Sequence, residues 1–334
     1  MELQTKISMS DLNFQIDYHD PIALFGSCFS DHIGAKLEEH QFKTLSNPFG
    51  IIFHPIALAQ LLKRVAAKDY FTEDTFFYFQ ERWHAFELHS KRSDPHLDTA
   101  LKNANRSIDQ THIFLKTSPC VFITLGTAWG YVLKDKTTDN LDGFTEGKKE
   151  FWVANCHKQA TSMFHKKLAT PTAVETALSD IRNAITALNP KAKIVFTVSP
   201  VRHLKEGIVA NSRSKAHLLA GIHSYREQQS PSTSVSYFPV YEIFMDELRD
   251  YRFYKKDLIH PNDTAVDYIW ELLVSNSFTA PTKQLLKEVM AIQKGLAHQA
   301  FNPSAAAHKK FEQQLKDRIG KIQQKHPHMF VAFD

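Results

Sequence analysis

Three kinds of hydrophobic pattern alternate along the chain. The first is the short unbroken run: Ile22 to Phe25, Cys120 to Leu125, and Ile194 to Val198. A segment that is apolar at nearly every position suits a strand buried on both faces. The second recurs at helical spacing. It covers Ile33 and Leu37, then Ile56, Leu58, Leu61 and Leu62, then Leu97, Leu101 and Ile108, and most clearly Val174, Leu178, Ile181, Ile185 and Leu188. Thr170 can cap that last helix, Pro171 suits its first position, and Asn189-Pro190 stops it. Helix followed by buried strand, repeated, predicts an α/β fold with a mainly parallel sheet. The third is partial alternation of aromatic and polar residues in Phe76-Phe77-Tyr78-Phe79 and Trp83-His84-Ala85-Phe86. It predicts a hairpin or aromatic insertion over about residues 67–92.

The remaining segments read as follows. Phe14 to Asp20 is strand-like, Asn211 to Gln229 helical, and Val235 to Val240 a strand. Glu242 to Tyr251 is helical or mixed, and Thr264 to Leu273 a closing helix. Residues 133–150 are charged and rich in turn formers, so an exposed loop is expected. From Pro281 the composition shifts. Leu285, Leu286, Val289 and Leu296 share one helical face, and Phe311, Leu315 and Ile322 share another. The expected division is an α/β domain over 1–278 and a C-terminal helical extension over 279–334. The extension is a candidate homodimer surface.

Composition narrows the function classes. With 43% apolar and 23% charged residues in 334, a packed core is expected rather than disorder. A net charge of +4 without a basic, aromatic-interleaved stripe gives no footing for nucleic acid. No run approaches the ~18 apolar residues of a membrane span, and Met1 to Lys6 lacks a basic-then-apolar leader, so a cytoplasmic protein without membrane contact is expected. Cys28, Cys120 and Cys156 are few and widely spaced, which suits reduced thiols. Cys156, His157 and His203 lack metal-ligand spacing, and neither metal nor other cofactor is expected.

Two stretches carry candidate chemistry. In Phe25-Gly26-Ser27-Cys28, an apolar run ends at a glycine, two nucleophile-capable residues follow, and a helix begins. Far downstream, Asp257 and His260 stand three residues apart before Pro261. At that spacing a carboxylate can take the imidazole Nδ1–H, leaving Nε2 as an oriented base. In an open parallel sheet, loops after different strands meet at the carboxyl edge.

Phe25-Gly26-Ser27-Cys28-Phe29-Ser30 resembles the motif that names the GSCFA family, with Ser30 in place of its final alanine. Asn47-Pro48-Phe49-Gly50, Leu125-Gly126-Thr127, Asn155-Cys156-His157, Ser199-Pro200-Val201-Arg202-His203, Ser214-Lys215-Ala216, Tyr237-Phe238-Pro239 and the block from Leu248 to His260 resemble it too, in order. That family is similar to the SGNH (GDSL-like) hydrolases. The resemblance implies a flavodoxin-like α/β/α sandwich and ester or acyl-transfer chemistry on a small-molecule or acylated substrate. It implies Cys28 as nucleophile, with Ser27 as the alternative, and the late Asp257–His260 pair. A thiol at a helix N-terminus near His260 is expected to have a lowered pKa. Gly50 matches the block that contributes an oxyanion N–H. The block that supplies an asparagine side chain reads Gly126-Thr127-Ala128-Trp129 here, so the Thr127 hydroxyl or Asn155 is the expected substitute. His157, Arg202, His203 and Lys215 fall in matching blocks and are candidates for holding an anionic substrate.

Overall fold

The computed structural model describes residues 4–9, 12, 14–134, 150–230, 234–299, 301–302 and 304–330. In chain order the elements are β1 (Ile22–Gly26), α1 (Cys28–Glu39), β2 (Thr44–Ser46), α2 (Pro55–Ala67), β3 (Phe77–Phe79), β4 (Arg82–His84), α3 (Leu97–Thr117) and β5 (Cys120–Leu125). Then come β6 (Trp129–Leu133), β7 (Trp152–Val153), β8 (Phe164–Leu168), α4 (Pro171–Leu188), β9 (Lys193–Val198), α5 (Ile208–Glu227) and β10 (Val235–Tyr237). The chain closes with α6 (Val240–Glu242), α7 (Asp263–Ser277), α8 (Ala280–Leu296) and α9 (Ala306–Gln323).

The central sheet has the order β10-β9-β5-β1-β2, with every neighbouring pair parallel. β1, β5, β9 and β10 are almost wholly buried, the first three as the unbroken runs predict, whereas the edge strand β2 is half-buried; alternate residues feed two separate cores. Ala23, Phe25, Val121, Ile123, Ile194 and Phe196 point into the layer made by α2, α3, α4 and α5. Ile22, Leu24, Cys120, Phe122 and Val195 point into the layer made by α1 and α7. The order reverses direction between β1 and β5, and the loops after these strands open a crevice at their carboxyl ends. Both lead into the candidate chemistry, at Ser27-Cys28 and at Gly126-Thr127.

Helix termini follow the sequence signals closely. Thr170 accepts the Ala173 N–H at 3.2 Å and Pro171 opens α4. The aromatic segment holds the antiparallel hairpin β3–β4. The structure also contains an antiparallel sheet, β7-β6-β8, that hydrophobic patterning did not reveal. Its strands are short: β7 has two buried residues, β6 alternates buried and half-buried positions, and β8 reads Phe164-His165-Lys166-Lys167-Leu168 with His165 and Lys166 exposed. Of the expected loop over 133–150, residues 135–149 lie outside the described residues. Phe14 to Asp20 forms only one bridge, Ile16 to Phe278. β10 stops at Tyr237, since Pro239 cannot continue the ladder. The mixed segment holds a wide helical turn over Ile243–Glu247.

Leu286, Val289, Ile292, Ile319 and Ile322 are buried in the same core as α1 and α7. Most of the apolar faces of α8 and α9 is therefore covered within the chain, while Met290 and Phe311 stay exposed. No helix among the described residues is long and apolar enough to cross a membrane.

Candidate active site

Gly26 ends β1 at φ +130, and a Cβ there would stand 2.0 Å from the Thr124 carbonyl oxygen. Only glycine permits this turn. The Ser27 N–H then donates to Thr124 O at 3.0 Å. Ser27 is buried, and its Oγ accepts the Phe29 N–H at 3.2 Å as the cap of α1. Cys28 is the first residue of α1 and is partly exposed. The two nucleophile candidates thus separate: Ser27 holds the helix end, and Cys28 stands at the crevice.

Asn47 locks this turn, a role that reading the sequence missed. It lies at φ +41, its Oδ1 accepts the Gly26 N–H at 2.9 Å, and its Nδ2 donates to Asp31 Oδ1 at 2.6 Å. The one local signal was an asparagine before proline in an ordered loop; asparagine tolerates positive φ better than most residues. The expected lowering of the Cys28 thiol pKa is not found. Burial pushes the thiol up and the Asp31 carboxylate adds to this, outweighing its own N–H, Lys215 and Lys255.

The second half of the site is a hydrogen-bonded loop before α7. Asp257 Oδ2 lies 2.7 Å from His260 Nδ1, and Asp257 Oδ1 accepts the N–H groups of Ile259 at 2.9 Å and His260 at 3.0 Å. Those amides, with the imidazole, hold the Asp257 carboxyl down at about 2. The Lys255 N–H closes the loop on His260 O at 2.7 Å. Arg202 braces it: the guanidinium donates to Leu258 O at 3.2 Å and lies 4.3 Å from the Tyr254 ring centre. Lys255 acts electrostatically on both Cys28 and His32, and His260 acts on both His32 and His203. The loop therefore faces the first turns of α1. Among the described residues, no hydrogen bond joins Cys28 to His260.

Beneath the crevice lies Lys215, 1% exposed. Its Nζ donates to Gly126 O and to Ser199 O, both at 2.6 Å, tying the ends of β5 and β9 together. Burial lowers its pKa to about 7, and the Cys28 thiolate acts in the opposite sense. Such a lysine cannot meet substrate at the surface. His203 lies above Gly126: a Cβ on that glycine would stand 2.9 Å from His203 Nε2. The ring packs 4.8 Å from that of Phe53, and the His203 N–H donates to Asn211 Oδ1 at 2.9 Å. Burial first, then Lys215 and His260, push the imidazole down to about 3, so it is neutral at ordinary pH.

Two of the expected oxyanion donors are committed elsewhere, and the third, Asn155, is engaged through its side-chain oxygen beside the aromatic insertion. The Gly50 N–H donates to Asn47 O at 2.8 Å. The Thr127 hydroxyl pairs with Ser214 Oγ at 2.7 Å and accepts the Trp129 N–H at 3.0 Å. Asn155 Oδ1 accepts the His157 N–H at 2.8 Å. His157 itself bonds Ala85 O at 2.8 Å and Ser90 Oγ at 3.1 Å, among the rings of Phe77, His84 and Phe86. Asn155 and His157 thus serve the aromatic insertion. The fold converges instead on Cys28, Thr127, His203, Lys215, Asp257 and His260. Among the described residues, no group of three or more His, Cys, Asp or Glu side chains could hold a metal.

The GSCFA family model matches residues 21–273, and the model described as GSCFA domain protein, C-terminal domain, matches residues 289–333. Among curated proteins, none matches the chain. Solved structures similar to it include a carbohydrate esterase family 3 protein from Talaromyces cellulolyticus, at 10% identity and TM-score 0.37 over 80% of this chain and 99% of that one. Another is an acetyl esterase mutant with acetate ion, at 10% identity and TM-score 0.36 over 81% of this chain and 99% of that one.

Proposed function

The chain belongs to the GSCFA family, and on that premise we propose that it is a hydrolase of ester or other acyl bonds, with Cys28 as nucleophile. One observation carries the reading. An oriented imidazole, His260 on Asp257 at 2.7 Å, lies on a braced loop facing the helix N-terminus that presents the Cys28 thiol.

In the reaction, His260 Nε2 takes the thiol proton, directly or through one water. Cys28 Sγ bonds to the acyl carbon, and the carbonyl electron pair moves onto oxygen. Collapse of this oxyanion breaks the bond to the leaving group, which departs with the proton from His260. Water then attacks the thioester, His260 takes its proton, and the acid and free thiol are released. Asp257 fixes the imidazole tautomer and stabilises the imidazolium. Substitution of water by an alcohol or amine acceptor makes the same site an acyltransferase. Side-chain exposures of 37% for His260 and 44% for Asp257 leave room for such an acceptor.

A competing reading is a binding protein that keeps the fold without turnover. It is favoured by the raised thiol of Cys28. Labelling with a thiol-directed acyl probe decides between them. The hydrolase reading expects labelling of the wild type that disappears in Cys28→Ala and slows in His260→Ala. Equal labelling of wild type and Cys28→Ala refutes Cys28.

A further inference from the structure

Two buried polar groups at the crevice have no partner among the described residues. The first is the Thr127 N–H. Its neighbours are satisfied: the Gly126 N–H donates to Phe53 O at 2.9 Å and the Ala128 N–H to Ser214 Oγ at 2.7 Å. Thr127 is 5% exposed, yet its own N–H meets no acceptor. The second is His203 Nε2, which is buried without a hydrogen bond. Buried groups of this kind are rare, and each calls for an explanation. These two lie beside one peptide unit, Gly126–Thr127.

The same peptide is polarised from its other side. Lys215 Nζ donates to Gly126 O, the carbonyl of the unit whose N–H belongs to Thr127. In a trans peptide the C=O and N–H point in opposite directions, so the N–H is aimed away from the lysine. Up to about pH 7 the lysine carries an ammonium, which draws electron density toward the carbonyl oxygen and makes that N–H a stronger donor. His203 is held neutral by burial, and the tautomer protonated on Nε2 offers a second donor. A neutral imidazole can polarise a carbonyl in this manner.

Building on the acyl-transfer reading, we propose that the Thr127 N–H and the His203 Nε2–H form the oxyanion hole of this site, with Lys215 as the positioning residue that polarises the Thr127 donor. His203 is then a catalytic residue, and the hole replaces the asparagine side chain that the GSCFA sequence lacks at Gly126-Thr127-Ala128-Trp129. Gly126 is required because any side chain there would collide with His203 and Phe53. When substrate binds, its carbonyl oxygen accepts from both donors, and these bonds strengthen as the C–S bond forms and charge gathers on that oxygen.

Two reactions of Cys28 separate this role from thiolate formation and from folding. Acylation by 4-nitrophenyl acetate passes through an oxyanion, whereas alkylation by iodoacetamide does not. Both rates are measured at Cys28 by mass spectrometry for wild type, His203→Phe, His203→Gln and Lys215→Met. The hole predicts that His203→Phe slows acylation about 100-fold and alkylation less than about threefold. His203→Gln restores an N–H donor and recovers most of the loss, and Lys215→Met slows acylation about tenfold relative to alkylation. Acylation of His203→Phe at the wild-type rate overturns the proposal. So does an equal fall in both reactions, or failure of His203→Gln to exceed His203→Phe. Absence of any Cys28 acylation in the wild type refutes the acyl-transfer reading itself, and the hole with it.

Discussion

Lys215 provides a direct test of how the crevice is built. A fully buried ammonium normally has a carboxylate partner, but no ion pair joins Lys215 to an acid among the described residues, and its two acceptors are carbonyls. The other groups facing it are the Cys28 thiol, His203 and the Tyr241 ring, whose centre lies 5.8 Å from Nζ. Burial lowers the folded-state value to about 7 from 10.5. Between these limits the unfolded chain binds the proton more tightly than the folded one, so stability must rise with pH. Each pH unit is worth about 1.4 kcal/mol, so the full interval amounts to about 5 kcal/mol. Lys215→Met removes this titration while keeping much of the side-chain volume. Urea denaturation at pH 7, 8, 9 and 10 should show the wild type gaining on Lys215→Met by about 1.4 kcal/mol per unit. Repeating the pair in a Cys28→Ala background removes the titrating neighbour and should leave the slope in place. Parallel curves for wild type and Lys215→Met would show that the lysine keeps its ordinary affinity for the proton, and the account of the crevice floor would fail.

Gly26→Ala should abolish folding, because its Cβ would overlap the Thr124 carbonyl at 2.0 Å and φ is +130; circular dichroism of the purified chain checks this. Asn47→Ala leaves the buried Gly26 N–H without its acceptor and should cost about 1–3 kcal/mol in urea unfolding, together with slower acylation of Cys28. Asp257→Asn should lower turnover by about 10²- to 10⁴-fold while barely changing the melting temperature. The Asp257 carboxyl is held at about 2, below its unfolded value, so its contribution is present above the unfolded pKa and is lost as pH falls through about 2. Protease resistance of the 251–262 loop should therefore persist to about pH 3 in the wild type and fall below it, whereas Asp257→Asn should be less resistant throughout and lack this acid transition. Deleting residues 281–334 uncovers the core shared with α1 and α7 and should give an aggregating chain; a full chain that is dimeric in light scattering and becomes a well-folded monomer on deletion would instead mark α8 and α9 as a dimer surface.

Some of this protein was written locally and could be read locally. The runs Ile22 to Phe25, Cys120 to Leu125 and Ile194 to Val198 read as strands covered on both faces, because they are apolar at nearly every position and too short for a buried helix. The α4 cap at Thr170 and the Asp257–His260 pair were equally legible, since both depend on residues three apart in the chain. The β7-β6-β8 sheet was not, because its strands are too short or too polar to carry an unbroken apolar run. Nor could sequence spacing reveal which polar groups were already occupied. The Gly50 N–H, the Thr127 hydroxyl, the Arg202 guanidinium and the His157 ring all look available until the fold brings Asn47, Ser214, Leu258 and Ala85 to them. Burial reversed the expected direction for Cys28, since desolvation and Asp31 outweigh the helix end and the neighbouring lysines. Lys215 reaches a carbonyl 89 residues away, and that contact depends on the parallel order of β1, β5 and β9. Sequence pattern determined the central strands, the helices and the candidate residue types; tertiary packing alone decided which donors stay free, because hydrogen-bond partners and desolvation are set by neighbours distant in the chain.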